Sequence, residues 1–277
     1  MYVNKRKIID AGFSIYYTAA NIGGFMGTLF IGLIAEEFGM IIGLFTTAFC
    51  MLTATILTAI APKILLEQVK QTRPPINNMI AVLTVCFIGI AVFWAFYEFS
   101  WFSFLDVQKA AGNLHLSDIT LFGLDNIGSI ITMLVIAICS VIWSHFYYNQ
   151  LKKLAVGFLA MAIGLFFASF VGELYTETST FIILIAMLFI GIAEAHIGPI
   201  INLVITQGFN PKYLAIIMSL AFIPTVLFGK IISAIKNELH IPMSQTQMLL
   251  VGIVGLGFFG LLLLLLVKKG ILKLDSP

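Results

Sequence analysis

Four ionisable side chains interrupt stretches of this sequence that are otherwise apolar: Glu98, Asp125, Glu194 and Lys230. Inside hydrocarbon such a group costs about 2.5 to 3.5 kcal/mol on insertion scales, so each needs a partner, a wet cavity or a task. Glu194 has the strongest case. It lies in Gly191-Ile192-Ala193-Glu194-Ala195-His196-Ile197-Gly198-Pro199, where Gly191 and Gly198 fall on its own helical face and leave space beside the carboxyl. Pro199 removes a backbone hydrogen bond and tends to kink a helix, which exposes carbonyl oxygens to whatever fills that space. A carboxyl so placed can hold a cationic solute or a proton. The competing reading is a neutral acid bonded to a neighbouring helix, with the glycines there for close packing.

Glu98 follows the aromatic run Phe93-Trp94-Ala95-Phe96-Tyr97. A carboxyl among rings is neutralised by a proton or by a cation from another helix, which suits a proton site or a gating pair. An interfacial acid beside an aromatic belt is the alternative. Asp125 reads as a helix-end group reaching water, and Lys230 as a snorkelling residue near the outer surface. Ser14, Tyr17, Asn21, Gly24 and Thr28 recur at intervals of three and four, drawing one polar stripe along a helix. That stripe faces protein or water rather than acyl chains; Tyr17 and Asn21 favour a cavity lining, while Gly23, Gly24 and Gly27 also permit close helix contact. Asn126 and Ser129 share a face in the same manner. His196, two residues after Glu194, points about 200° away around the helix and reads as a bonded packing histidine. Cys50, Cys86 and Cys139 are too widely spaced for a metal site or disulfide framework, and no zinc-protease, nucleophile-elbow or phosphate-loop pattern occurs. We therefore expect no enzyme, no cofactor and no metal.

The elements that carry these residues follow from composition. The chain has 277 residues, 60% hydrophobic and 10% charged, and so few charges cannot cover a soluble domain of that size. The expected class is an all-α membrane protein in a lipid bilayer. Long, unalternating apolar runs exclude membrane strands. Stretches of about 20 apolar residues predict eight transmembrane helices, near 13–35, 40–60, 78–104, 118–143, 154–172, 179–205, 212–233 and 246–267. The net charge of +2 predicts no nucleic-acid partner. Basic residues fall on alternate connections: Lys5, Arg6, Lys7, Lys63, Lys70, Arg73, Lys152, Lys153, Lys212, Lys268, Lys269 and Lys273 on one side, Lys109 and Lys236 on the other. By the positive-inside rule both termini are cytoplasmic. The basic, proline-containing stretch 62–77 divides the chain into a two-helix part, 1–61, and a six-helix part, 78–277. Six-helix halves joined by a cytoplasmic linker are the plan of major facilitator transporters.

Three elements carry a family resemblance. Phe13-Ser14-Ile15-Tyr16-Tyr17-Thr18-Ala19-Ala20-Asn21-Ile22-Gly23-Gly24-Phe25 resembles the fifth-helix signature of proton-coupled oligopeptide transporters. Phe93-Trp94-Ala95-Phe96-Tyr97-Glu98 is similar to that family's seventh helix, and Ala193-Glu194 with Pro199 to its tenth. Thr18, Ala20, Phe99 and Ile127 depart from the pattern. The resemblance implies a partial major facilitator fold comprising helices five to twelve, with the first four helices lacking or supplied by a separate polypeptide. It implies proton-coupled uptake of di- and tripeptides across the cytoplasmic (inner) membrane by alternating access. Glu194 would hold the peptide's amino terminus, Asn21 and Asn126 would bond its backbone with Tyr17 beside them, and Glu98 would serve proton coupling or a gate. The alternative is a non-transporting membrane remnant or subunit derived from such a transporter.

Overall fold

In lipid each backbone amide must find its partner within its own segment, which makes a long apolar run a helix. The computed structural model describes residues 6–60, 84, 87–98, 100, 123–146, 148–171, 177–208, 216–220, 223, 227 and 245–271. No strand occurs among them. The helices are α1 (Arg6–Phe38), α2 (Met40–Ile60), α3 (Phe87–Glu98), α4 (Gly123–His145), α5 (Gln150–Ala168), α6 (Glu177–Gly208) and α7 (Gln245–Lys268). A short helical stretch at 216–220 falls within the seventh predicted span. Six of the seven, all but α3, are long and apolar enough to cross a membrane. The rest of the third and seventh predicted spans, and the predicted linker 62–77, lie outside the described residues.

Gly39 separates α1 from α2. Its φ of 94° belongs to the left-handed region that a Cβ disfavours. Its amide still bonds to Ala35 O at 3.0 Å, so the chain reverses within one residue. Beyond Gly43, the one buried residue of α2, that helix touches little of the protein. The Thr46, Thr47, Thr53, Thr55 and Thr58 hydroxyls each donate to the carbonyl one turn earlier, at 2.7 to 3.0 Å.

The core is centred on α5. Leu151, Leu154, Phe158, Met161, Leu165 and Ala168 follow at steps of three and four, all buried. Ile183, Ile190, Ile197 and Val204 recur every seven residues on α6, and Leu249, Leu256 and Leu263 do so on α7. A seven-residue repeat keeps one seam facing its neighbour, and α5 accordingly packs against both α6 and α7. Lipid is as apolar as leucine, so shape fit and dispersion rather than escape from water hold these seams. Across the bundle, α4 packs on α6, and α1 lies against α4 and α6.

One expectation needs correction here. The sequence pattern places Lys153 with the basic connections, yet α5 starts four residues before the predicted 154 and carries this side chain into the protein, where it is only 1% exposed. The start is fixed by Asn149, whose side-chain oxygen accepts from Leu151 N at 3.0 Å and Lys152 N at 3.2 Å. The Lys153 ammonium lies 4.2 Å from the centre of the buried Trp143 ring, where the ring's π face offsets part of the cost of burial. Lys152, one residue away, lies 5.8 Å from the Tyr148 ring.

Candidate functional site

Two helices each bring one tyrosine to a single buried carboxyl on a third. Glu194, midway along α6, is 5% exposed. Tyr17 of α1 donates its hydroxyl to Glu194 Oε1 at 3.0 Å across 177 residues of sequence. The Tyr97 phenol of α3 bonds the same carboxyl. Tyr97 is in turn held by its own helix, edge-on to Trp94 at 4.9 Å and 5.8 Å from the buried Phe93 ring.

The glycines that flank Glu194 act differently from the open space expected of them. A Cβ on Gly198 would stand 2.3 to 2.6 Å from Tyr17 ring and hydroxyl atoms. The missing side chain is what lets the phenol reach the carboxyl. On the other side, a Cβ on Gly191 would meet Thr132 of α4 at 3.2 Å from Oγ1 and 3.3 Å from Cα. Gly198 is a notch for a tyrosine and Gly191 a seat for a helix backbone. Both positions are already filled from within the protein.

Along α1, Asn21 turns its amide back to donate to Tyr17 O at 3.0 Å, and Thr18 donates to Ser14 O at 2.8 Å. Ser14, one turn before Tyr17 on the same face, is fully buried, and its hydroxyl oxygen has no hydrogen-bond partner among the described residues. A buried hydroxyl left without a partner costs about 1–3 kcal/mol, so this face retains capacity for a polar guest. The stripe is thus inward-facing where it meets α4 and α6. Further along, apart from the backbone of α1 itself, no described atom lies within 4 Å of the place a Cβ would occupy on Gly23 or Gly27.

Glu98 is half-buried and follows Tyr97 directly on α3, one bond along the chain from a Glu194 ligand. The side chains of Asn126 and Asp125, and all of Lys230, lie outside the described residues. His196 behaves as its position predicts: Nδ1 lies 2.8 Å from Ile192 O, and the ring meets Trp143 edge-on at 5.2 Å. Since a carbonyl only accepts, Nδ1 carries the proton of this bond. Among the described residues no three His, Cys, Asp or Glu side chains assemble to hold a metal ion.

Sequence reasoning missed Tyr97 and the pairing of Lys153 with Trp143. The signal for Tyr97 was its place beside Glu98 in an aromatic run. For Lys153 it was Asn149, a good helix cap just ahead of two lysines.

The described residues are almost entirely helical, with six segments long and apolar enough to cross a membrane and a buried acid bonded by two phenols where α1, α3 and α6 meet. No protein-family model, curated protein or solved structure matches this chain.

Proposed function

We propose that this protein is a secondary active transporter that takes up di- and tripeptides together with protons by alternating access, with a partial major facilitator fold in the cytoplasmic membrane and both termini in the cytoplasm. The observation that carries this reading is the buried Glu194 carboxyl where α1, α3 and α6 meet, with Tyr17 as its hydrogen-bond donor. An uncompensated charge there is costly, so a peptide ammonium and a proton are alternative ways to neutralise the same group. Exchange of one for the other couples two fluxes through one site. Asn21 and Tyr17, one turn apart, line the same face of α1, and the Ser14 hydroxyl adds an acceptor or donor for a peptide backbone. Glu98, adjacent to Tyr97, gives protons a second carboxyl on the way in or out; Asn126 completes the backbone contacts.

Exposure of α1 and α2 supports one further element of the proposal: a separate polypeptide supplying four helices covers them. The same exposure favours a second reading, in which the chain is a non-transporting membrane subunit descended from a transporter. Uptake of labelled Ala-Ala into proteoliposomes under an imposed pH gradient separates the two. Transport by the chain, cut at least tenfold by Glu194→Gln, supports the symporter. Undiminished pH-driven uptake by that variant removes Glu194 from the mechanism, and no uptake with or without added partner favours the subunit.

A further inference from the structure

The bond between Tyr17 and Glu194 ties α1 to α6 within a seam where α1 also packs on α4. Tyr17 belongs to the α1–α2 hairpin and Glu194 to the bundle around α5. The ring sits in a notch that only the absence of a side chain at Gly198 makes possible, 2.3 to 2.6 Å from where a Cβ would be. Its hydroxyl proton points at Oε1 from 3.0 Å. A solute ammonium that binds this oxygen places an N–H there at about the same distance.

We infer that Tyr17 is an internal occupant of the Glu194 site, a latch whose phenol holds the carboxyl position that a cationic solute takes, so that loading the site releases α1 from α6. This deepens the transport reading and rests on it. Three consequences follow from the geometry. An ammonium that takes the lone pair of Oε1 now used by the phenol displaces it, since the ring fills the space beside Gly198 through which a solute would reach that direction. Displacement loosens α1 at this buried contact with α6, while its packing on α4 remains, which couples occupancy to movement of one helix against the other. Tyr97 stays behind, held by Trp94 and Phe93, and keeps the carboxyl oriented while the latch is open.

The latch reverses the sign expected of a binding residue. If Tyr17 contributed affinity, Tyr17→Phe would weaken binding; as a competitor, its removal strengthens it. Two readouts on the full chain in lipid nanodiscs test this. The first is the affinity for Ala-Ala, with N-acetyl-Ala-Ala as the control that lacks an ammonium. The second is the rate at which a hydrophobic carbodiimide modifies Glu194, read by peptide mass spectrometry, which needs no substrate. Tyr17→Phe raises both about tenfold, the loss of one hydrogen bond to a carboxyl. Gly198→Ala, which evicts the ring while keeping the phenol, moves both in the same direction. Ala-Ala, but not its acetylated form, slows the carbodiimide reaction.

Weaker Ala-Ala binding by Tyr17→Phe, or carbodiimide labelling at the wild-type rate in both variants, overturns the latch. Ala-Ala binding unaffected by Glu194→Gln overturns instead the underlying assignment of Glu194. Faster labelling in both variants with no Ala-Ala binding anywhere keeps the latch and discards the peptide as its key.

Discussion

α2 and α5 are helices of nearly equal length and α2 is the more apolar, yet the apolar window of α5 is 67% buried inside the protein and that of α2 only 6%. Hydrophobicity therefore does not decide which helix joins the core. In a bilayer both environments are oily, and a helix is drawn inward by side chains that fit a neighbour. α5 has them: a ladder of large residues at steps of three and four, met by sevenfold repeats on α6 and α7. α2 carries large residues at the same steps, Phe45, Phe49, Leu52 and Ile56, but no described helix offers a complementary seam to them and they stay exposed; it meets α1 around Gly43. α1 stands between the two conditions, packed on α4 and α6, buried at Ala11 and Ser14 and, among the described residues, open at Gly23 and Gly27.

The sharpest way to break this contrast is to truncate one ring in each region. Phe158, 2% exposed and edge-on to Phe259 at 4.8 Å, should cost about 3 kcal/mol or more as Phe158→Ala. Phe49→Ala, on a side chain that is 68% exposed, should change unfolding in mixed micelles by less than about 0.5 kcal/mol. Equal losses would show that α2 packs as α5 does. Next in size are the two adjacent lysines. Lys153→Ala leaves a gap under Trp143 and is expected to lose about 2 kcal/mol, whereas Lys152→Ala stays near 0.5 kcal/mol. Equivalent effects in the same titration would return Lys153 to the membrane surface. Removing the hydroxyl that joins the two regions, with Tyr17→Phe, should lower stability by about 1 kcal/mol while Tyr97 still bonds the carboxyl. No change would mean the contact is made at no net gain. The smallest effect is expected at Thr53→Val, about 0.3 kcal/mol or less, because that hydroxyl is engaged only with Phe49 O of its own helix. A loss near that of Tyr17→Phe would reveal an outside partner on this face.

Helix positions were largely legible in the sequence, since in a bilayer length and apolarity are the physical requirement itself. The predicted 40–60 is α2, and 179–205 and 246–267 fall within α6 and α7. The error at α5 arose where two rules competed: lysines mark connections, but Asn149 had already started the helix, and Trp143 supplies a face for the buried ammonium. At the site, Glu194 was legible because an acid within an apolar run is costly anywhere in the span. Tyr17 was legible as a cavity-lining residue, but not its bond to this carboxyl, and Tyr97 was not legible at all. Tyr17 is 177 residues away, and only the packing of α1 on α6 brings the two together. The flanking glycines were visible as small residues, but whether a small residue leaves a void or receives a guest depends on the neighbouring helix, which one chain's local pattern does not specify.

The threonines of α2 have a consequence for how the protein is made. Each of their hydroxyls is satisfied by the carbonyl one turn back, so the helix asks nothing of its surroundings. During synthesis α1 and α2 leave the ribosome well before α4 and α6 exist to receive them. A hairpin whose second arm is chemically silent can wait in the membrane without recruiting a wrong companion, and Ser14 and Tyr17, near the start of α1, are the groups left to find their place once the later helices arrive.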